Sequence, residues 1–330
     1  MKFFVTGATG FIGSNLARVL LGRGHSVRAL VRGESNRKNV EGLDIELIEG
    51  DLRDNDLDLS EAMAGCDGLF HVAAVYSFWT PDLDRVFEAN VKGTERVLRS
   101  ALKAGLKKVV YTSTESTIGM NGGDRGTENV VIDRSKLHGA YKITKHQAEE
   151  VSLDFWRKQG LPVVVVNPTM PIGAYDVKPT PTGQVIVDYL SHKMPAYVNT
   201  GMNLVDVVDV AEGHVLAMER GRPGERYILG NRNVTFKEML GILEGVTGIQ
   251  APRANMPVWV ALSAAFVDEW VSGRLLGKSP RVQMAAVRAA SKCRYHDCTK
   301  AVHELGLPQS PVENAFVRAV EWFRQNGYAK

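Results

Sequence analysis

Cysteine is scarce in this chain. Cys66, Cys293 and Cys298 are three in number and match no zinc-ligand spacing. Only His296 lies beside the last two, so structural thiols are expected and no metal site. An odd, sparse set fits a reducing cytoplasm better than a disulfide framework. An excess of one charge is also missing: 40 Lys plus Arg stand against 37 Asp plus Glu, a net charge of +3. That balance gives no reason to expect nucleic acid or an anionic membrane as partner. Long apolar runs are absent; the uncharged, largely apolar run Ala254 to Val267 is too short to span a bilayer. Strand-like sequence begins at once, leaving no room for a signal peptide. There are no repeats and no low-complexity linker. What remains is a soluble chain of 330 residues, 44% hydrophobic. That is enough for one large α/β domain with a lobe attached, or for two domains.

The stretch Phe3-Phe4-Val5-Thr6-Gly7-Ala8-Thr9-Gly10-Phe11-Ile12-Gly13 reads as a short strand, a glycine-punctuated turn and a helix running to about Arg23. Gly7 permits the tight turn, Gly10 lets backbone approach a pyrophosphate, and Gly13 lets helix and strand pack closely. The helix N-terminus adds unpaired N–H groups and the positive end of its dipole. Three glycines alone are weak evidence, but glycines placed between a strand and a helix at the start of a βαβ unit point to a dinucleotide phosphate site.

Strand-like and helix-like segments alternate through the first half, predicting a doubly wound parallel sheet of Rossmann type. A second strand, His25 to Val31, ends at Arg32 with Arg37 and Lys38 beyond. NAD-preferring sites usually carry an acid here, whereas a planar guanidinium suits a 2′-phosphate, so NADP is favoured with NAD possible. The third strand, Asp44 to Ile48, leads to Asp51 and Leu52. Asp51 either accepts from an adenine amino group, with Leu52 against the ring, or caps a helix. The fourth, Asp67 to Val72, ends in His71-Val72-Ala73-Ala74; small side chains leave room for a ribose, and His71 reads as a core or hinge residue. Tyr76-Ser77-Phe78-Trp79 follows where open α/β sheets bind ligands, as a pocket wall or a core cap. A long helix spans Leu83 to Ala104 with Asn90 in it, and a fifth strand, Lys107 to Ser113, precedes Thr114-Glu115-Ser116-Thr117.

Tyr141 and Lys145 are four apart and share a helix face. A phenol titrates near ~10, too high for base work at neutral pH. An ammonium ~4 Å away stabilises phenolate by roughly 4 kcal/mol at an effective dielectric of about 20. At ~1.4 kcal/mol per unit this lowers the pKa by up to about three units. Tyr141 then exchanges a proton with an alcohol. Thr114 or Ser113 supplies a hydroxyl to orient the substrate oxygen.

With the glycine turn upstream, this constellation resembles the extended short-chain dehydrogenase/reductase family over essentially the full chain. The resemblance implies a catalytic set of Thr114, Tyr141, Lys145 and Asn90, the last supporting a proton relay. It implies cofactor contacts at Gly7, Thr9, Gly10, Phe11, Ile12, Gly13, Arg32, Asp51, Leu52, Val72, Ala73, Tyr141, Lys145 and Pro168. Lys38 matches a position that dihydroflavonol-reductase-like members use against a 2′-phosphate. The series Asn167 to Gly173, Lys178 to Gly183 with Thr182, Met194 to Tyr197, Asp209 to His214 and Gly224 to Gly230 is similar to the hopanoid-associated sugar epimerase subgroup. Glu115 departs from that subgroup's apolar residue. Dehydratases of the family carry two successive acids there; Ser116 takes the second place, so a dehydratase is not expected. Glu115 tunes specificity or is a solvated loop carboxylate.

The expected organisation is a cofactor domain over 1–174 with a sheet return at about 201–222, and a smaller, mostly helical substrate lobe over 175–200 and 223–330. Asp209 is expected to cap a helix to Arg220, and Thr235 with Glu238 to form a capping box. Pro257 to Leu276 reads as a buried helix or one wall of a substrate cleft, and Pro311 to Asn326 as an amphipathic helix. The function expected is NADP(H)-dependent oxidation, reduction or epimerisation at a secondary alcohol or ketone, sugar-like or hopanoid-linked. A carbonyl reductase is the alternative, and a non-catalytic NADP sensor the alternative of another class. Tyr76, Trp79, Glu115 and Thr182 are the candidate substrate residues. A homodimer through the helices Leu83 to Ala104 and Tyr141 to Lys158 is implied by the resemblance.

Overall fold

A computed structural model describes residues 1–76, 82–120, 125–137, 139–268 and 293–329. The chain begins β1 (Lys2–Thr6), α1 (Phe11–Gly22), β2 (Ser26–Val31), β3 (Ile45–Glu49), α2 (Ser60–Met63) and β4 (Gly68–His71). It continues α3 (Leu83–Phe87) and α4 (Gly93–Lys103), joined by a π-helical turn over Glu88–Lys92, then β5 (Val109–Thr112), β6 (Ile118–Met120), β7 (Arg125–Val131), α5 (Ala140–Gln159) and β8 (Val163–Pro168). The distal part contains β9 (Met170–Ile172), α6 (Pro181–Leu190), β10 (Gly201–Asp206), α7 (Val207–Arg220), β11 (Arg226–Leu229), β12 (Arg232–Thr235), α8 (Phe236–Thr247), α9 (Val258–Asp268), β13 (Tyr295–His296) and α10 (Val312–Gln325).

Seven strands form the central parallel sheet in the order β11-β8-β5-β4-β1-β2-β3. Parallel strands are covered on both faces and read as continuous apolar runs; β8 carries four successive valines, all buried. Each such valine is worth about 1.5–3 kcal/mol of burial. Alternation sends Phe3 and Val5 to a core shared with α1 and α7, and Phe4 to the opposite core with Leu98 of α4 and Leu153 of α5. Strand order reverses between β1 and β4, which opens a crevice at their carboxyl ends.

Beyond β8 a three-stranded sheet, β12-β10-β9, builds a lobe with its own core around Ile186, Leu204, Leu240, Phe316 and Phe323. This corrects the expected sheet return. Gly201–Asp206 pairs with β9 and β12, and the strand that joins the central sheet is Arg226–Leu229, beside β8. From the 201–222 segment, α7 and Val205 near the end of β10 pack on the central sheet's core. A second correction concerns the cap of α7. Asp206 accepts from the Val208 N–H, while Asp209 inside the first turn accepts from the Ser310 N–H and hydroxyl, both at 2.8 Å. The Thr235–Glu238 capping box is present. In the described part of the Pro257 to Leu276 segment, Ala261 and Ala265 face inward, but Trp259 and Phe266 are exposed. Trp270, Arg274 and Leu275 lie outside the described residues.

Candidate active site

The glycine turn has the geometry its sequence demands. Gly7 adopts φ +78°, and a Cβ there would stand 2.7 Å from Ala73 N, so the ends of β1 and β4 meet at a point only glycine allows. A Cβ on Gly13 would fall 2.1 Å from the Gly7 carbonyl oxygen. Gly10 is extended, at φ −81°, and caps α1 without a side-chain hydrogen bond. A Cβ on it would meet only Gly7 O, at 3.2 Å, its other side being open. The first turn of α1, with Phe11, Ile12 and Gly13, thus keeps backbone donors for an anion. Asn39 braces the turn by donating to Thr9 O at 3.1 Å and Tyr175 O at 2.9 Å. This cradle fits a dinucleotide pyrophosphate.

Arg32 ends β2 in the open, and Lys38 is exposed one short turn later. Arg37 is engaged by Glu49. Asp51 neither caps a helix nor stands free: it accepts from the Arg53 backbone N–H at 2.9 Å and from its guanidinium Nε at 3.0 Å. The Arg53 hydrogen bonds hold its carboxyl down at about 2, with Arg32 contributing. Leu52 packs under Gly93, where a Cβ would come within 2.9 Å of it. Val72 and Ala73 close β4 against Thr6, their N–H groups reaching Thr6 O at 3.2 Å and Thr6 Oγ1 at 3.3 Å. Pro168 is buried at the end of β8.

The carboxyl end of β5 and the first turns of α5 bring the chemistry together. Of the two candidate hydroxyls, Ser113 is held by the buried Glu149 carboxylate, which also accepts from Thr117 at 2.7 Å. Thr114 is the hydrogen-bond partner of the Tyr141 phenol. The Tyr76 ring stands edge-on to Tyr141, centroids 4.4 Å apart at 84°. Burial raises the Tyr141 phenol well above its ordinary value; the Thr114 hydrogen bond works the other way, and the Glu115 carboxylate adds to the rise. The expected lowering by Lys145 is therefore not realised. Desolvation dominates the phenol, and the buried Lys145 ammonium donates to Tyr111 Oη at 2.8 Å and Thr112 O at 2.6 Å. Burial pulls that ammonium down to about 7, against the Glu149 carboxylate.

Asn90 sits in the π-helical turn, a feature that often marks functional sites. Its Oδ1 accepts from Val75 N at 2.7 Å, and its Nδ2 donates to Val75 O and Thr144 Oγ1, both at 3.1 Å. Both amide hydrogens are spent, and Asn90 clamps the loop before Tyr76 onto α5. His71 is a neutral buried bridge. Thr94 donates to Asn90 O at 2.6 Å, so it must accept from His71 Nε2 at 2.9 Å, leaving Nδ1 to accept from Thr6 at 2.7 Å. Burial, with the Lys145 charge, holds its imidazole down at about 3.

Glu115 is not the solvated carboxylate of one sequence reading. It is half-buried, its side chain 13% exposed, against Arg294 Nη1 at 2.8 Å, with His296 Nε2 at 3.6 Å. Thr182 stands in the first turn of α6, and no hydrogen bond joins it to the Thr114–Tyr141 pair among the described residues. Trp79 lies outside the described residues. Sequence reasoning missed Tyr111, Arg294, His296 and Asp176. Tyr111 is the lone phenol of β5, beside two valines, which was a usable signal. Arg294 and His296 reach Glu115 across a long sequence separation, 179 residues for Arg294, and gave none. Asp176 is buried with one oxygen unpartnered, and burial raises its carboxyl to about 6. Among the described residues no group of three or more His, Cys, Asp or Glu could hold a metal ion, and no helix is long and apolar enough to cross a membrane.

A glycine cradle at a sheet switch point, with a threonine, a tyrosine and a lysine at the neighbouring strand end, defines a dinucleotide-dependent enzyme of the short-chain dehydrogenase/reductase class. The profile of the NAD dependent epimerase/dehydratase family matches residues 3–230, and the chain belongs to that family, the extended branch of the class. It is 48% identical to the "Putative dihydroflavonol 4-reductase" of Synechocystis sp., over 99% of this chain and 96% of the relative. It is 34% identical to sterol demethylase protein B of Methylococcus capsulatus, over 99% of each. The crystal structure of gox2253 superimposes with a TM-score of 0.87 at 42% identity, covering 99% of each chain. DesIV, a dTDP-glucose 4,6-dehydratase from Streptomyces venezuelae solved with NAD and TYD bound, gives 0.76 at 25% identity, covering 100% of this chain and 99% of that one.

Proposed function

We propose that this chain is an NADP(H)-dependent carbonyl reductase that interconverts a ketone and a secondary alcohol. The observation that carries the reading is the Thr114–Tyr141 pair at the end of β5, with the buried Lys145 amine on the same helix. A nicotinamide held here would supply or take the hydride; Gly7 to Gly13 would hold its pyrophosphate, and Val72, Ala73 and Pro168 would leave room for the riboses. Thr114 orients the carbonyl oxygen, and Tyr141 gives it a proton. A phenol raised by burial stays protonated at neutral pH, which suits donation, the step that ketone reduction needs. Lys145, when charged, steadies the phenolate left behind. The similarity to a dihydroflavonol reductase favours release of the alcohol over its re-reduction as in an epimerase.

Arg32 and Lys38 favour the 2′-phosphate of NADP, although the related DesIV holds NAD. The lobe beyond residue 174, apart from α7 and β11, would cover the substrate, and a cytoplasmic homodimer through α3 to α5 is the expected assembly. NADPH oxidation against a panel of ketones tests the reading. Tyr141→Phe is expected to lower kcat by about 10²- to 10⁴-fold with NADPH binding retained. Arg32→Ala with Lys38→Ala is expected to weaken NADPH and leave NADH. No NADPH oxidation with any ketone would sink the reductase. A Tyr141→Phe protein with full biological activity and intact NADP binding would favour a sensor.

A further inference from the structure

We propose that Glu149 of α5 is a positioning residue, the buried counter-charge that keeps the Lys145 amine cationic for a nicotinamide nucleotide. The proposal rests on the reductase reading and adds the group that charges its lysine. Tyr141, Lys145 and Glu149 recur at four-residue spacing, so they share one stripe of α5. Long helical side chains lean toward the helix N-terminus, which carries the Glu149 carboxylate toward Lys145.

The surroundings of Glu149, which is 4% exposed, are built for an anion. Its Oε2 accepts from Ser113, from Thr117 Oγ1 at 2.7 Å and from Asn167 Nδ2 at 3.1 Å. Its Oε1 meets Arg226 Nη1 of β11 at 3.3 Å. Arg226 and the Asn167 amide nitrogen can only donate, so this shell suits a charged carboxylate. The same Asn167 nitrogen reaches Thr114 O at 3.1 Å, and Thr117 Oγ1 reaches it at 2.8 Å. The anion therefore stands directly behind the Thr114–Tyr141 pair.

Stability alone does not call for a charge here, because a buried ion pair costs about as much desolvation as its attraction returns. Lys145 supplies the reason. Around it stand Tyr141 and Glu149 of its own helix, Tyr111 of β5 and His71 of β4. Burial, and next the Glu149 carboxylate, raise the Tyr111 phenol well above its ordinary value. Tyr141 is raised as well, and His71 is neutral, so none of the three offers Lys145 an anion. Glu149 is the group whose charge opposes the burial of that ammonium. Its oxygens are taken by the other donors, so it acts on Lys145 through space.

Titration calorimetry of NADPH from about pH 6 to about pH 9 needs no ketone, so it reads the charge apart from the reaction. The 2′-phosphate of NADPH titrates near ~6, equally for every variant, so differences between variants report the protein. In the wild type, affinity is expected to fall as pH rises through about 7, where Lys145 loses its proton. Glu149→Gln keeps the shape and removes the charge, and the fall is expected to move about one pH unit lower. Arg226→Met removes the cation that shares the carboxylate, and the fall is expected to move higher. A merely structural Glu149 would weaken NADPH at every pH and leave the fall in place, a result that overturns the proposal. So does a wild-type affinity that is flat across the range. Should Glu149→Gln fail to fold, Arg226→Met decides, and an unmoved fall there overturns the assignment. The expected shifts without reduction of any ketone remove the reductase reading and leave Glu149 its role in binding. A wild type that binds no NADPH removes both.

Discussion

Which residues carry the chemistry and how they are charged are separate questions, and Lys145 shows it. Four-residue spacing was enough to put Tyr141 and Lys145 on one helix, because helical geometry is local. Their electrostatics were not legible, since desolvation and the Tyr111 acceptor come from a sheet that the spacing does not describe. The choice between Ser113 and Thr114 was hidden for the same reason: Glu149, from α5, decides it. A pH prediction follows from the displaced lysine. With NADPH as the varied substrate, kcat/KM reports groups of the cofactor-free enzyme. The folded Lys145 titrates at about 7, so its cationic form is full below that value and is lost as pH rises through it. kcat/KM for NADPH should therefore fall on the alkaline side of about pH 7. In Tyr111→Phe the ammonium loses a hydrogen-bond acceptor at 2.8 Å, which disfavours the charged form. The falling limb should move to lower pH. An unchanged profile would mean that Tyr111 does not set the charge of Lys145.

At the level of elements, the turn between β1 and α1 was legible because glycine positions report backbone constraints that act within a few residues. β10 and β11 were not. Both are short strands with an apolar centre, and pairing with β9 or with β8 separates them, a long-range choice absent from local pattern. The shift of the α7 cap from Asp209 to Asp206 has a related cause, because Ser310 of a distant loop claims Asp209. The glycines allow a test that divides folding from binding. Gly13→Ala places a methyl 2.1 Å from a carbonyl oxygen, so α1 must move. Overpacking of this kind costs about 1–3 kcal/mol, and thermal unfolding should show a clear drop in Tm. Gly10→Ala meets only one atom, at 3.2 Å, with an ordinary φ. It should unfold near the wild-type temperature and yet bind NADPH at least tenfold more weakly in titration calorimetry. Tight binding by Gly10→Ala would move the pyrophosphate away from this turn.

For the whole molecule the open question is assembly, which no pattern within one chain fixes. Leu83 and Phe87 on α3 and Ile143 on α5 are large apolar side chains left exposed on two helices that pack on each other, which makes them the candidates for an interaction face. The Asn90 clamp ties these same helices to the loop before Tyr76, so pairing here would stiffen the substrate side of the site in both copies. A stable interface needs about 800 Å² from each partner, which two helices per protomer can supply as a four-helix pack. Wild-type protein should sediment as a dimer at micromolar concentration. Phe87→Glu with Ile143→Glu should sediment as a folded monomer, because like charges brought together across a two-fold axis repel without a partner. Trp259 and Phe266 of α9 are the competing exposed surface. A dimer that survives the paired glutamates and dissociates in Trp259→Glu would put the interface there, and a wild-type monomer would leave neither face with a partner copy to bind.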